Sequence, residues 1–371
     1  MANLKKLIIH PGFHKTGTTA LQQALSEVRH ELSTAGFNYP HTAGKAHHRA
    51  AWAIIEKTWG WKKRGGRFTQ PVEWHKLEKK INGSKNSAII SSEFFSESSP
   101  AQVQKLRSLL KKHEIQIVFT WRPLPFMLAS SYQQYLKYGL KVSYDQWLHS
   151  IFDAPGEAKL SPSFWKRNLH GDVIAAWCEA FGPENITLIC VDESNPTYLY
   201  DSFTKVSGLP AGLLKEPVHI EVNRSLTFAE AALLLEINQT YPIDGDWNSY
   251  EIFIRKGNIR ALTSSERADS SDEKIMTPEW AMTAATEINA KSVATIKLLG
   301  IEIIGDIDRS DFSRIPIGIN TPVDKISIAT AAQAMIGVDM RSLRRMPQKA
   351  ISKEFFHRLR KIIKRKLRFP R

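Results

Sequence analysis

At 371 residues, 42% of them hydrophobic, the chain is long enough for one large α/β domain or two ordinary ones, and too apolar for a disordered segment. Two cysteines, Cys178 and Cys190, exclude a disulfide framework and a cysteine-built metal site, and read as buried thiols of a reducing, cytosolic compartment. A net charge of +14 points to anionic partners, and no apolar stretch approaches the ~20 residues of a membrane helix.

In chain order, Leu4–Ile9 reads as a strand, followed by the turn His10–Thr19 (HPGFHKTGTT) and a helix over 20–36 that ends near Gly36. The next segment carries the pair His47-His48, a Trp-rich helix over Ala50–Trp61 and a basic turn at 62–67. A helix over 72–82 leads to a second strand, Ser87–Ser92, with Glu93 directly behind it. Pro100 opens a helix over 101–113. Ile115–Trp121 is the third strand, followed by Arg122 and a helix over 126–138. Helices over 144–152 and 170–181 precede a fourth strand, Asn185–Val191, with Asp192-Glu193 at its end, and a helix over 198–206. Trp177 and Phe181 read as core residues.

Beyond residue 210 the alternation of strand and helix fades. Helices are expected over 227–240, 278–299 and 325–337. The aromatic stretch 241–260 reads as irregular and 264–273 as a polar flap, so that the flap region spans about 241–275. The organisation expected is an α/β domain over 1–305, with core motifs in 5–210, and a helical C-terminal extension over 306–371. The tail 352–371 is strongly basic with apolar residues at helical spacing. It reads either as a membrane-surface helix or as a terminal helix packed on the domain. No nucleic-acid-binding module is recognisable.

A strand, a glycine turn bearing a lysine and hydroxyls, and a helix build a phosphate cradle, because backbone N–H groups and the helix dipole face the anion. Gly12 and Gly17 match the glycines of a nucleoside-triphosphate loop, but Thr18 stands where the lysine belongs, and the lysine is Lys15, inside the turn. An ordinary ATPase or GTPase is therefore disfavoured. Arg122 at a strand end and Ser130 two turns into the next helix can converge on a second phosphate. Glu93 lies where parallel sheets place their chemistry, or is simply a carboxylate at a helix start. Four strands alternating with helices imply a three-layer, P-loop-like fold with a central parallel sheet, which brings Lys15, Thr16–Thr19, Glu93, Arg122 and Ser130 to one sheet edge.

These residues resemble the sulfotransferases that use 3′-phosphoadenosine 5′-phosphosulfate. HKTGTT at 14–19 resembles their 5′-phosphosulfate loop, most of all in bacterial members. Arg122 with Ser130 matches their 3′-phosphate motif, and Glu93 in SSEFFSES is similar in position to the glutamate base of glycan-modifying members. The resemblance implies a metal-free, in-line sulfuryl transfer that releases adenosine 3′,5′-bisphosphate. Gly12, His14, Lys15, Thr16, Gly17, Thr18 and Thr19 would hold the 5′ end, with Lys15 on the bridging and non-bridging oxygens. Arg122 and Ser130 would hold the 3′-phosphate. Glu93 would take the acceptor's proton, with His14, His47 and His48 as rival bases or acceptor ligands. A later basic loop would close on the nucleotide, supplied by Arg224 in preference to Arg255-Lys256-Gly257. The expected acceptor is a hydroxyl of a glycan, glycolipid or other alcohol. The expected location is cytoplasmic, with peripheral membrane contact through the tail. A P-loop-type nucleotide or small-molecule kinase, with Asp192 near its metal, is the alternative.

Overall fold

The computed structural model describes residues 5–42, 44–56, 58–59, 67–153, 159–217, 224–242, 247–264, 273–345, 352, 355–357 and 359–360. The basic turn at 62–66, most of the flap at 264–273 and nearly all of the tail 352–371 lie outside the described residues.

Six strands form one parallel sheet: β1 (Lys5–His10), β2 (Phe37–Asn38), β3 (Ser87–Ser91), β4 (His113–Trp121), β5 (Ile186–Cys190) and β6 (Glu302–Ile304), in the order β2-β3-β1-β4-β5-β6. Alternation along each strand explains why the sheet is covered on both faces. Leu7, Ile9, Ile90, Ile117 and Leu188 enter one core with Trp74, Trp177 and Phe181, whereas Ile8, Ile89, Val118 and Ile189 enter the other with Leu21, Leu25 and Phe203. Cys178 and Cys190 are free, buried thiols. The three-layer α/β architecture is thus the one expected, with β2 and β6 added at the edges. Among the described residues no helix is long and apolar enough to cross a membrane.

From β1 the chain moves to one side of the sheet for β2 and β3, then crosses to the other for β4. The strand order therefore reverses between β1 and β4, and ligand crevices open at the carboxyl ends of strands at such a reversal. The loop after β1 and Arg122 after β4 flank this point.

Helix α1 (Thr18–Glu27) follows the loop, and the helix expected over 20–36 breaks at Val28 into two. Helix α2 (His48–Ile54) is shorter than expected, because Thr58–Trp59 pairs antiparallel with Arg67–Phe68. Helix α3 (Leu128–Leu136) follows a 3-10 turn, Leu124–Met127. It packs in a third, helical core around Trp147 with α4 (Phe228–Thr240) and α5 (Glu279–Leu298). The stretch read as irregular is helical: Tyr250–Ile259 is a π-helix continued by Arg260–Ser264. Helix α6 (Ile328–Arg345) packs on it through Gly257 and Gly337. A Cβ on Gly337 would lie 2.6 Å from the Gly257 carbonyl oxygen, so only glycine admits this approach.

Candidate active site

The loop after β1 is held from below by Thr16 together with His10, Ser91 and Thr120, which the sequence does not mark out. His10, fully buried, joins Ser91 of β3 (Nδ1 to Oγ, 2.8 Å) and Thr120 of β4 (Nε2 to Oγ1, 3.3 Å). Burial pushes its pKa down to about 4, so it is neutral at pH 7. The Thr16 hydroxyl turns inward, donating to the Phe13 carbonyl at 2.7 Å and lying 2.7 Å from Thr120 Oγ1. The Phe13 N–H donates to the Thr120 carbonyl at 3.1 Å. The expectation that the Thr16 hydroxyl faces the ligand is thereby corrected: its role is to lock the turn, and only its backbone remains for an anion.

This lock holds an unusual backbone. Gly12 and Gly17 have φ of 53° and 81°, and Lys15, a non-glycine residue, has φ 64°. Left-handed backbone costs a residue with a Cβ about 1–2 kcal/mol. The close-set network below the loop holds Lys15 there. A Cβ on Gly12 would lie 2.6 Å from Thr18 Cγ2. Gly17 is the N-cap of α1, with no side-chain cap and no acidic residue in the first turn. The first-turn N–H groups of α1 have no intrahelical acceptor, and the dipole is unneutralised, so this end of the helix suits an anion.

Lys15 reaches into the crevice, where its Nζ lies 3.5 Å from Gln134 Oε1 of α3. The residue as a whole is exposed, while the walls of the crevice lie close about it. Its pKa is lowered by that enclosure and then by the charge of Arg167, with Glu93 opposing. Arg167 is fixed by Glu97, which accepts from Arg167 Nε at 2.9 Å and from His14 Nε2 at 2.9 Å. The Glu97 side chain is 4% exposed, and its carboxylate raises the pKa of the buried guanidinium. His14 is pushed down to about 4 by burial and then by Arg167, against the pull of Glu97. The pair Glu97–Arg167 is therefore the permanent ion pair, and His14 is a neutral ring that donates from Nε2.

Glu93 opens the 3-10 turn Glu93–Glu97 directly after β3. Its Oε2 accepts from Gln22 Nε2 of α1 at 3.0 Å and lies 3.7 Å from His48 Nδ1. Burial works against its charge, yet His48, His14 and the Gln22 hydrogen bond together hold its pKa below the ordinary carboxylate value, so it is ionised at pH 7. His48 is also 2.8 Å from Ser92 Oγ and packs edge-on to Phe94. His47 goes elsewhere: its Nδ1 accepts from the Ser91 N–H at 3.1 Å and its Nε2 donates to the Pro40 carbonyl at 2.9 Å. It is 1% exposed with both nitrogens engaged, so the structure corrects its reading as an acceptor ligand and makes it a strut between β3 and the Pro40 turn.

Across the reversal point, Arg122 donates from Nη1 to the Lys15 carbonyl at 3.2 Å and pairs with Glu193 at 2.7 Å. Its guanidinium lies 5.1 Å from the Phe126 ring centre, and that of Arg309 lies 5.0 Å from the same ring. Burial lowers the Arg122 pKa, Glu193 opposes this, and Arg309 adds to it. Two arginines thus share one aromatic ring at the strand ends. The Ser130 hydroxyl donates to the Met127 carbonyl of its own helix at 3.1 Å. Asp192 accepts from the N–H and the hydroxyl of Ser194 at 2.9 and 2.6 Å, which closes a turn.

The two later basic residues expected to close on a nucleotide are otherwise engaged. Arg224 grips Glu230 bidentately, at 2.7 and 2.6 Å, and the Glu230 side chain is fully buried in the capping box of α4. Arg255 lies 4.2 Å from the Tyr138 ring centre and 5.3 Å from that of Trp247. Arg309 takes the place beside Arg122 from the segment 306–324, a stretch whose only sequence signal was its basic residues, Arg309 and Arg314. Glu97 lies four residues after Glu93, one turn of the same SSEFFSES motif, and could have been found there. Gln22, Gln134, Lys137 and Arg167 carry no motif.

No family model matches this chain, and no curated protein matches it. Among solved structures, it is similar to a sulfotransferase from Alicyclobacillus acidocaldarius, at 16% identity over 68% of this chain and 100% of that one, with a TM-score of 0.40. It is also similar to the sulfotransferase domain from the curacin biosynthetic pathway, at 10% identity over 61% of this chain and 82% of that one, with a TM-score of 0.33. At these scores both stand as likenesses only.

Proposed function

We propose that the protein is a sulfotransferase that moves a sulfuryl group from 3′-phosphoadenosine 5′-phosphosulfate to a hydroxyl of a glycan, glycolipid or other alcohol. One observation carries the reading: two features of different construction, each suited to an anion, flank the same strand-order reversal. The first is the glycine loop with the α1 N-terminus and Lys15. The second is Arg122 with Arg309 on Phe126. A donor with a phosphosulfate at one end and a separate 3′-phosphate at the other matches two sites. In a P-loop-type kinase the lysine stands in the first turn of α1, whereas Lys15 precedes Gly17.

In this reading the first-turn N–H groups of α1 hold the 5′-phosphate, and Arg122, Arg309 and Ser130 hold the 3′-phosphate. The acceptor oxygen attacks sulfur, the bond from sulfur to the bridging oxygen breaks, and adenosine 3′,5′-bisphosphate leaves. Lys15 neutralises the charge that grows on the leaving oxygen. The acceptor's proton goes to Glu93, which Gln22 orients and which is ionised and ready to receive it. The His14–Glu97 pair, neutral at the ring, is the rival base.

The test is transfer from a ³⁵S-labelled donor to a panel of cell-envelope glycans, glycolipids and small alcohols, with and without EDTA. Transfer should appear and persist in EDTA. Glu93→Gln should bind adenosine 3′,5′-bisphosphate as the wild type does while turnover falls about 10²–10⁴-fold. Full activity in that variant would pass the role of base to His14.

A further inference from the structure

The strand ends that carry the arginine clamp are tied side by side. Trp121 of β4 pairs with Cys190 of β5, and the Val191 N–H donates to the Trp121 carbonyl at 2.9 Å. The chain leaving β4 therefore presents Arg122 next to the Asp192-Glu193 pair that leaves β5. Asp192 closes its own turn on Ser194. Glu193 reaches across the strand ends, and its Oε1 lies 2.7 Å from Arg122 Nη2.

Arg122 has other anchors. Its Nη1 donates to the Lys15 carbonyl at 3.2 Å, and its guanidinium lies 5.1 Å from the centre of the Phe126 ring. The Arg122 side chain is 18% exposed, against 37% for Glu193. The arginine is thus a set part of the wall, whereas the carboxylate can turn into solvent while the backbone turn closed by Asp192 stays in place. A phosphate brought to Arg122 meets the Glu193 carboxylate at the same guanidinium, and two anions there repel. A phosphate monoester carries roughly two negative charges and several strong acceptor oxygens, enough to meet Arg122 and Arg309 on their shared ring. Glu193 brings a single charge.

We infer that Glu193 is an internal competitor for Arg122, which a nucleotide's 3′-phosphate displaces on binding and which returns to the guanidinium as the product leaves. The inference rests on the donor reading, which brings a 3′-phosphate to Arg122. Donor and product carry that same phosphate. A clamp that grips it favours both alike, and such uniform binding does not speed the chemical step. It also holds the product back, and product release limits many enzymes. A carboxylate that competes for the arginine offsets the grip. Glu193 is then a positioning residue that acts through Arg122 and takes no part in the chemistry.

The experiment titrates the full chain calorimetrically with adenosine 3′,5′-bisphosphate and with AMP, and follows dissociation by stopped flow. Glu193→Gln should bind the bisphosphate about three- to ten-fold more tightly, between the scale of an exposed ion pair and that of a partly buried one, and release it more slowly by a similar factor. AMP, which brings nothing to Arg122, should bind as it does to the wild type. In an Arg122→Ala background, adding Glu193→Gln should give no gain. Unchanged bisphosphate affinity in Glu193→Gln would overturn the inference, and weaker affinity would also do so, by making Glu193 the strut that sets Arg122. An equal gain for AMP, or a gain that survives Arg122→Ala, would overturn it too, because the effect would then lie outside the exchange at Arg122. A wild-type protein that does not prefer the bisphosphate to AMP would count against the donor reading instead. The exchange is then read with inorganic phosphate, which should still bind more tightly to Glu193→Gln, and equal affinity would overturn it.

Discussion

The two proposed anion sites at the head of the sheet are built in opposite ways. The glycine-loop site is made of backbone, and its shape is set by buried contacts below it: His10 to Ser91 and Thr120, Thr16 to Phe13 and Thr120. The arginine site is made of side chains on a shared ring, and one of its guanidiniums is paired with Glu193 at 2.7 Å. The first is preformed and can only be filled. The second must exchange a carboxylate for a ligand anion, so binding there is a difference between two charge-assisted contacts. A rigid loop beside an exchangeable clamp fits a donor whose reacting end must be placed within a fraction of an ångström, while its far end serves as a handle. Binding energy from such a remote handle can be used to orient the reacting centre.

The largest expected effect is on the rigid side. Lys15→Ala removes the charge at the leaving oxygen and should lower turnover about 10²–10³-fold, on the scale of losing one preorganised electrostatic donor. Adenosine 3′,5′-bisphosphate affinity should change far less, because the sulfuryl group is absent from that product. Single-turnover rates and calorimetry separate the two, and a parallel loss of both would make Lys15 a general phosphate ligand.

Next comes the scaffold below the loop. The folded pKa of His10 is about 4, below the ordinary value of 6.5, so between these pH values the unfolded chain binds the extra proton. Stability is complete above pH 6.5 and is lost as pH falls toward 4, by at most about 3 kcal/mol for this one residue. The melting temperature should drop across that window, and His10→Asn, less stable at neutral pH, should show a flatter slope. An unchanged slope would mean that His10 does not stay neutral in the fold.

On the clamp side, Arg309→Ala should weaken adenosine 3′,5′-bisphosphate about 10–100-fold, the scale of a hydrogen bond to a charged group, and leave AMP binding unchanged. Arg224→Ala should instead lower stability by about 3–5 kcal/mol, since it strands the buried Glu230. If Arg224→Ala selectively reduced affinity for the bisphosphate, Arg224 would regain the role that its position before α4 suggested.

The same contrast explains what could be read from the sequence. The rigid site is local: a strand, the seven loop residues 11–17 and a helix start, with glycines at two of its three positions of positive φ. Its residue types reveal it, and so does the glutamate directly after β3. The clamp and the cations around the loop are assembled from distant segments. Arg309 arrives from a loop that follows the last strand, Arg167 from a five-residue helix, and Arg255 from a stretch whose aromatic residues masked a π-helix. Arginine and lysine are common enough that position in space alone distinguishes them. The engagement of Arg224 is hidden for a related reason: the sequence places it before a helix start, but its partner Glu230 is visible only once the capping box has formed. Thr16 and His47 look like site residues because they are polar and adjacent to the motifs, yet both face inward.

The most direct measurement is the affinity of the intact protein for adenosine 3′,5′-bisphosphate relative to AMP, in EDTA, at a fixed salt concentration. Two sites on one crevice predict that the bisphosphate binds at least 100-fold more tightly, and that Arg122→Ala collapses the ratio toward one. Equal affinity for the two nucleotides in the wild-type protein would contradict the account.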